Sequence, residues 1–403
     1  MHVFGVSAAT VDQLEERDSF YDLLSSIDVE PIPGKTVASM EEAIASCEQM
    51  TFPILVRPSF VIGGQGMAIL HSKEQLEEYL VNHPYKGLFP LLMDTYVQGI
   101  EVDMDVLTDG KSIHVAGIFE HIEQAGVHSG DSLAITPPFR LSEAIKQQMV
   151  DMANKLAQAM TFKGVFNIQF VLQDERAYVI EVNPRASRTV PLLAKLSGEP
   201  YIHYATRLMV GETLEQLNVK TGKLPYFAAK APVFSYGKLA GLDPKLGAEM
   251  KSTGELLMIG KTPEEALAKV SAPFETLPAL FEKEEEKSIF YCVEPALEKA
   301  CNPFIEQLER EGFTIVKADF DQWVSSPEAK ALIDISYPGQ NGNEGNRHKA
   351  LANQLTVLTE VETLGAFLHY FYHPSFSLQS IQEWRSKTFE KKESISCKAL
   401  PSI

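Results

Sequence analysis

The segment VIEVNPRASRTVP, residues 179–191, sets Glu181, Asn183, Arg185 and Arg188 at the end of an apolar run. A carboxylate and an amide can offer oxygen to a hard divalent cation. Guanidiniums placed just beyond them can take phosphate oxygens in bidentate fashion. The preceding FNIQFVL alternates, with Phe166, Ile168, Phe170 and Leu172 on one face and Asn167 and Gln169 on the other. In AYVIEVN, Val179, Glu181 and Asn183 share a face. A hairpin turn centred on Glu175 sets Gln169 opposite Glu181 and Asn167 opposite Asn183. Such a face suits Mg²⁺ or Mn²⁺, with substrate phosphates completing the shell. The alternative is an edge hairpin with a solvated polar face.

Three other segments bear on that choice. RPSFVIGGQGM joins a strand, Arg57 and a turn with Gly63, Gly64 and Gly66, where backbone N–H groups could approach a phosphate. It lacks the Lys-Ser/Thr ending of a P-loop, and a plain flexible loop fits it equally. LLMDTYVQGIEVDMD ends an apolar strand and brings in Glu101, a carboxylate suited to ribose hydroxyls; an ordinary strand turn is the alternative. EHIEQAGVHSGDS holds His121, His128 and three acidic residues, with His128 and Ser129 between Gly126 and Gly130. A lone histidine is more often a surface residue, but beside two glycines and a serine it reads as a loop that bonds a phosphoryl group or an oxyanion.

The elements that must position these groups alternate strand and helix. FPILVRPS, GMAIL, LFPLLMDTYV and EVDMDVLTDGKSIHVAGIFEHI read as strands, the last a hairpin turning at Asp109-Gly110. SKEQLEEYLVNH and residues 141–160 carry helical periodicity. HVFGVS reads as a strand, the end of a small α/β domain preceding this chain, followed by an amphipathic helix through AATVDQLEERDSFYDLLSSI. The charged run FEKEEEK, residues 281–287, is the expected boundary. Beyond it KSIFYCV, TIVKADF, AKALIDISYP and LTVLTEV alternate with helices, which predicts a smaller, doubly wound α/β unit. The expected spans are 1–6, 7–281, 287–373 and a tail, 374–403.

At 403 residues and 45% hydrophobic the chain can bury two or three cores, and its net charge of −18 argues against non-specific binding to nucleic acid or an anionic membrane. No apolar run reaches the length of a membrane span. The four scattered cysteines form no CxxC pair and read as reduced thiols, those at 292 and 301 packed in a core. These features predict a cytoplasmic protein.

RPSFVIGGQGM, EHIEQAGVHSGDS, FNIQF and IEVNPRASRTVP, in this order, resemble the ATP-grasp superfamily. More narrowly, the chain resembles the carboxy-terminal half of carbamoyl phosphate synthetase large subunits. An EVNPR-like stretch also fits biotin carboxylases, but the His128 loop and the SRTVP continuation favour the synthetases. The resemblance implies an ATP-grasp fold followed by a methylglyoxal-synthase-like α/β allosteric domain. It implies Arg17 and Arg57 on ATP phosphates, backbone groups of Thr95 and Val97 at adenine, and Glu101 on ribose. It implies Gly63 and Gly64 in the glycine-rich loop. Gly126, Val127, His128 and Ser129 would line the nucleotide and phosphoryl site, with His128, Arg185 and Arg188 catalytic. Gln169, Glu181 and Asn183 would hold Mg²⁺ or Mn²⁺ as two ions, with K⁺ as a further cation.

The implied reaction is phosphorylation of carbamate by ATP to give carbamoyl phosphate and ADP; the alternative is a non-catalytic regulatory or assembly fragment of that enzyme. The implied partners are the amino-terminal half of the large subunit, through it a glutaminase small subunit, and a second copy of the chain in a homo-oligomer. Two departures stand out. Thr95 replaces a bulkier hinge residue, and KADFDQW lacks the Gly and Thr of the family's effector turn. The second departure fits a form serving arginine biosynthesis and insensitive to pyrimidine nucleotides. The later loop PGQNGNEGNRHKA keeps Arg347, His348 and Lys349, either as groups for an effector or as simply solvated side chains.

Overall fold

The computed structural model describes residues 4–58, 63–82, 88–160, 162–220, 224–236, 238–239, 241–271, 286–337, 343–371 and 380–386. The chain packs as two units that interleave in sequence: one from Met1–Ala125, Thr136–Pro225 and Ser380–Thr388, the other from Gly126–Ile135, Tyr226–Gln379 and Phe389–Ile403.

The first unit opens with helices α1 (Ala8–Glu15) and α2 (Arg17–Ser26). The strand expected in HVFGVS is absent from the described residues 4–7. Gly5 sits at φ +97°, and the Ser7 hydroxyl instead caps α1 by accepting the Thr10 N–H at 3.1 Å. The single helix expected after it breaks at Glu16, whose ψ of 115° is extended. A four-stranded antiparallel sheet follows, from β1 (Gly34–Val37), β2 (Ile54–Pro58), β3 (Ala68–Leu70) and β4 (Leu91–Thr95), in the order β1-β4-β2-β3. Val37, Ile54, Val56, Leu91 and Met93 form one core with Ala43 and Cys47 of α3 (Met40–Cys47) and Leu76 and Leu80 of α4 (Lys73–Asn82).

The site strands of this unit are β5 (Ile100–Thr108) and β6 (Ile113–Gln124), then β8 (Gly164–Gln173) and β9 (Arg176–Asn183), antiparallel in the order β6-β5-β8-β9; β7 (Ala134–Thr136) lies between them in sequence. One face is apolar: Val102, Met104, Val106, Phe166, Ile168, Phe170 and Val179 share a core with Ile145, Met149, Ala153 and Leu156 of α5 (Glu143–Ala159). Alternation therefore turns Glu101, Asp103, Asp105, Asn167, Gln169 and Glu181 to the other face. Asp103, Asp105 and Asn167 are buried there, so their polar atoms must find partners inside the protein. Helices α6 (Thr189–Ser197), α7 (Tyr201–Met209) and the single turn α8 (Leu214–Leu217) follow β9.

In the second unit β10 (Phe227–Val233) pairs antiparallel with β11 (Gly254–Gly260), ahead of the short helix α9 (Pro263–Ala268). Four parallel strands form a separate sheet: β12 (Lys287–Val293), β13 (Phe313–Val316), β14 (Ala329–Ile335) and β15 (Thr356–Leu358), ordered β13-β12-β14-β15. Its helices are α10 (Glu298–Arg310), α11 (Phe320–Trp323), α12 (Glu344–Ala352) and α13 (Val361–Ala366). Phe290, Phe320, Trp323, Leu332 and Ala350 pack together, and the Trp323 indole N–H donates to Ser288 Oγ at 2.8 Å.

The expected loop around Arg347 is instead α12, and Arg347 is fully buried rather than solvated. Its guanidinium takes both oxygens of Asp243, each at 2.7 Å, and Asp334 Oδ2 at 2.7 Å. Two carboxylates remote in sequence thus replace water. Cys47 and Cys301 are buried free thiols, and Cys292 is a half-buried one. Residues 281–285 of the charged run and most of the 374–403 tail lie outside the described residues; α14 (Ile381–Ser386) belongs to the first unit. No helix among the described residues is long and apolar enough to cross a membrane.

Candidate functional site

The expected pairing holds, for a reason alternation alone does not supply. Asp174 and Glu175, both at positive φ (49° and 59°), make a tight two-residue turn that sets Gln173 opposite Arg176 and Phe170 opposite Val179. A bulge between Phe170 and Gln169 then shifts the register by one residue. Beyond the bulge Gln169 faces Glu181 and Asn167 faces Asn183. The Asn183 amide donates to Glu181 Oε1, while its Oδ1 accepts from Arg185 Nη2 at 3.2 Å. Arg185 and Arg188 are exposed, and Arg188 is the N-cap residue of α6.

Arg17 and Arg57 meet at a residue the sequence reading passed over. Asp94, on β4, is 2% exposed, and its Oδ2 receives Arg17 Nη2 at 3.2 Å and Arg57 Nη2 at 3.3 Å. Tyr21 donates to Oδ1 at 2.7 Å, and Arg17 Nη1 donates to the Ile180 carbonyl of β9 at 2.6 Å. Burial raises the Tyr21 pKa, with Arg17 opposing and Asp94 adding, so the phenol remains a neutral donor. Burial likewise lowers the Arg57 pKa, reinforced by Arg17 and opposed by Asp94 and Glu181. Two guanidiniums therefore share one carboxylate, and the buried Nε atoms of both lack a hydrogen-bond partner. These unpartnered guanidinium donors suit the oxygens of a polyanion such as a phosphate chain.

Glu101 faces His121, its Oε2 lying 3.7 Å from Nδ1, while His121 Nε2 lies 3.0 Å from Asp103 Oδ2. Asp103 stands opposite Gln169, and Asp105 opposite Asn167. The carboxylate row on β5 thus continues the β8–β9 polar rungs. Its signal in the sequence is the alternation in EVDMDV, which sets Asp103 and Asp105 on one face with Glu101. Desolvation raises the Asp105 pKa to about 6, against hydrogen bonds from Thr189, Ser187 and Asn167. At the hinge, the Thr95 N–H donates to the Pro33 carbonyl at 2.8 Å and Tyr96 N–H to Pro53 at 3.1 Å. The Thr95 backbone donor is therefore engaged within the protein. Val97 packs with Ile32, Ala125 and Val171, beside Tyr96, Tyr178 and Ile180. Gly63 and Gly64 adopt φ of 66° and 74°; residues 59–62 of the same segment lie outside the described residues.

The His128 loop belongs to the second unit, and elements far along the chain hold it. The His128 N–H donates to Gly247 O at 2.8 Å, and His128 Nδ1 accepts the Gly130 N–H at 3.0 Å. An accepting Nδ1 places the ring proton of the neutral imidazole on Nε2. Asp131 accepts the N–H groups of Lys251 and Ser252 at 2.7 and 2.8 Å. Lys230 Nζ, buried on β10, donates to the Ser129 carbonyl at 2.5 Å. A lone lysine inside FAAKAPV signals a buried cation that needs such an acceptor. Gly126 sits at φ +100° and Val127 is buried. Glu120, from the same EHIEQAGVHSGDS segment, belongs to the first unit and binds the N–H groups of Phe139 and Arg140 at 2.9 and 3.0 Å.

Gln169, Glu181 and Asn183 offer one carboxylate and amide oxygens, a donor set that fits a hard cation sharing its shell with phosphate. Among the described residues no group of three His, Cys, Asp or Glu side chains is gathered for a metal. For Asn183 to present its oxygen to a cation, the amide must turn away from Arg185.

Residues 16–217 match the family described as the carbamoyl-phosphate synthase L chain, ATP-binding domain. The chain is 45% identical over 90% of its length to the carbamoyl phosphate synthase arginine-specific large chain of Halalkalibacterium halodurans, covering 35% of that protein. It is 38% identical over 98% of its length to that of Geobacillus stearothermophilus, covering 37% of it. The chain thus spans little more than a third of the curated relatives it matches. Among solved structures, a biotin carboxylase–ATP analogue complex from Campylobacter jejuni aligns with a TM-score of 0.53 at 16% identity, over 66% of this chain and 67% of that one. Carboxyaminoimidazole ribonucleotide synthase from an Aspergillus species, complexed with ATP, aligns with a TM-score of 0.53 at 15% identity, over 66% of this chain and 74% of that one. Both carry the ATP-grasp, biotin-carboxylase-like α/β fold, which the present chain shares. The chain is a member of the carbamoyl phosphate synthase large-chain ATP-binding family.

Proposed function

We propose that this chain is the second ATP-using unit of a carbamoyl phosphate synthase large chain and transfers the γ-phosphoryl group of ATP to carbamate. The supporting observation is the bulged hairpin that sets Gln169 opposite Glu181 and Asn167 opposite Asn183 beside Arg185. In the reaction a carbamate oxygen forms a bond to the γ-phosphorus, the bond to the β–γ bridging oxygen breaks, and ADP leaves. Arg17 and Arg57 exchange their hold on Asp94 for phosphate oxygens, and Arg185 and Arg188 take the transferring group. Glu181, Gln169 and Asn183 would hold the Mg²⁺ or Mn²⁺. Such a cation neutralises phosphate charge. Glu101 is assigned to ribose, Val97 to adenine, and Gly63 and Gly64 to the phosphates. Gly126, Val127, His128 and Ser129 are assigned to nucleotide and phosphoryl contacts.

The same reading gives residues 7–281 as the ATP-grasp domain and 287–373 as a methylglyoxal-synthase-like module. It places the protein in the cytoplasm, with the remainder of the large chain and a glutaminase subunit as partners. Relatives named arginine-specific support arginine biosynthesis as the destination. Calorimetric titration of ADP with Mg²⁺ or Mn²⁺ into the chain tests the reading. Metal-dependent binding is expected, and Glu181→Gln removes the metal-dependent part. Binding that is absent, or unchanged by the substitution, counts against it.

A further inference from the structure

Asp105, a carboxylate on the site strands, has no part in the reaction described above. Asp105 on β5 is 1% exposed and stands opposite Asn167 of β8 and Gly117 of β6. Its Oδ1 accepts from Asn167 Nδ2 at 3.1 Å and from Ser187 Oγ at 2.7 Å, and its Oδ2 accepts from Thr189 Oγ1. Ser187 Oγ lies 2.6 Å from Thr189 Oγ1 and accepts the Thr189 N–H at 3.1 Å. Asp105 therefore grips both sides of Arg188, where α6 begins, and a carboxylate there also complements the helix dipole. Gly117 allows the grip. A Cβ at that position would lie 2.2 Å from the Leu193 side chain, so α6 rests on bare backbone of β6. Upstream, Asn183 is held by its pairing with Asn167, itself bonded to Asp105. The five residues between Asn183 and Thr189, carrying exposed Arg185 and Arg188, are thus tied at both ends to one buried carboxylate.

We propose that Asp105 is a positioning residue. Through Asn167 and the hydroxyls of Ser187 and Thr189 it fixes the turn that presents Arg185 and Arg188, and on the phosphoryl-transfer reading it aims both guanidiniums at phosphate oxygens. Nothing in this role calls for Asp105 to touch substrate.

Native-state trypsin digestion tests the grip without reference to catalysis, because the Arg185–Ala186 and Arg188–Thr189 bonds lie within the turn. Asp105→Asn and Thr189→Val should speed cleavage at these two bonds by about tenfold, the effect of losing about 1.4 kcal/mol of local stability. Cleavage elsewhere should stay at the wild-type rate, and Thr189→Ser, which keeps the hydroxyl, should behave as wild type. Unchanged cleavage in the first two variants, or acceleration at every site alike, overturns the proposal. A second arm measures ATP formation from ADP and carbamoyl phosphate. Asp105→Asn and Thr189→Val should lower kcat by about 10- to 100-fold, in keeping with sub-ångström misplacement of catalytic groups, and the double variant should lose little more than either alone. Loosened cleavage with unchanged kcat would also overturn the positioning role. A wild-type chain that forms no ATP would fail the phosphoryl-transfer reading, and the cleavage pattern would still decide whether Asp105 fixes the turn.

Discussion

Replacing Asp94 with Asn should destabilise the first unit and make it more responsive to polyanions. The carboxylate is 2% exposed and is the shared acceptor for Arg17 and Arg57, at 3.2 and 3.3 Å. Asparagine keeps the shape but removes the charge, leaving two part-buried guanidiniums to repel each other. Breaking one partner out of a buried ionic pair costs about 3 to 5 kcal/mol. With a urea m-value of about 3 kcal/mol/M, the unfolding midpoint of this unit should fall by about 1 M or more. Pyrophosphate supplies the missing negative charge, so it should restore the midpoint more in the variant than in wild type. The assay is urea denaturation of both proteins with and without pyrophosphate. If Asp94→Asn unfolds within about 0.5 kcal/mol of wild type and responds no more strongly to pyrophosphate, then the guanidiniums are not held by Asp94 as described.

Gly34→Ala should reproduce part of this defect, because a Cβ there would lie 1.9 Å from Asp94 Oδ1 and 3.0 Å from the Met93 carbonyl; the same denaturation assay reads it. Arg347→Met should destabilise the second unit by about 3 kcal/mol or more by stranding Asp243 and Asp334, measurable as a lower unfolding midpoint at pH 7. Burial opposes ionisation of Asp243, but hydrogen bonds from Arg347 and Lys245 hold its pKa below the usual value; its contribution to stability is therefore full above about pH 4 and lost as pH falls further. Asp105 has the opposite sign. With a folded pKa near 6, its contribution falls as pH rises from about 4 to about 6, so the wild-type-minus-Asp105→Asn stability difference should slope downward across that window. A flat difference would place the Asp105 pKa elsewhere.

The part of the site legible in the sequence was the part that repeats locally. Alternation in FNIQFVL and AYVIEVN identified the polar face, and the pairing of Gln169 with Glu181 was correct. It was reached through an assumed turn centre, whereas the chain uses a tighter turn and a bulge, and the two shifts cancel. The same alternation in EVDMDV marks Asp103 and Asp105, but a carboxylate on a strand gives no sign of burial until its neighbours are known. Asp94 was beyond this kind of reading, since its role depends on Arg17 and Tyr21 of α2 and Arg57 of β2 meeting it on β4. Arg347 failed for a related reason. Glycines and charges around it suggested a solvated loop, and the carboxylates that bury it lie 104 and 13 positions away. HVFGVS looked like a strand by composition, yet the Ser7 cap starts a helix directly after it. The parallel alternation after Lys287 was legible because each strand is a short apolar run between helical periods.

The most direct test of the central claim is ATP formation from ADP and carbamoyl phosphate, with Mg²⁺ or Mn²⁺ present, by the wild-type chain and by Glu181→Gln. Metal-dependent ATP formation by the wild-type chain, lowered by about 100-fold or more in the variant, is the predicted result. Tight metal-dependent ADP binding with no ATP formed, or formation that Glu181→Gln leaves intact, would contradict the claim.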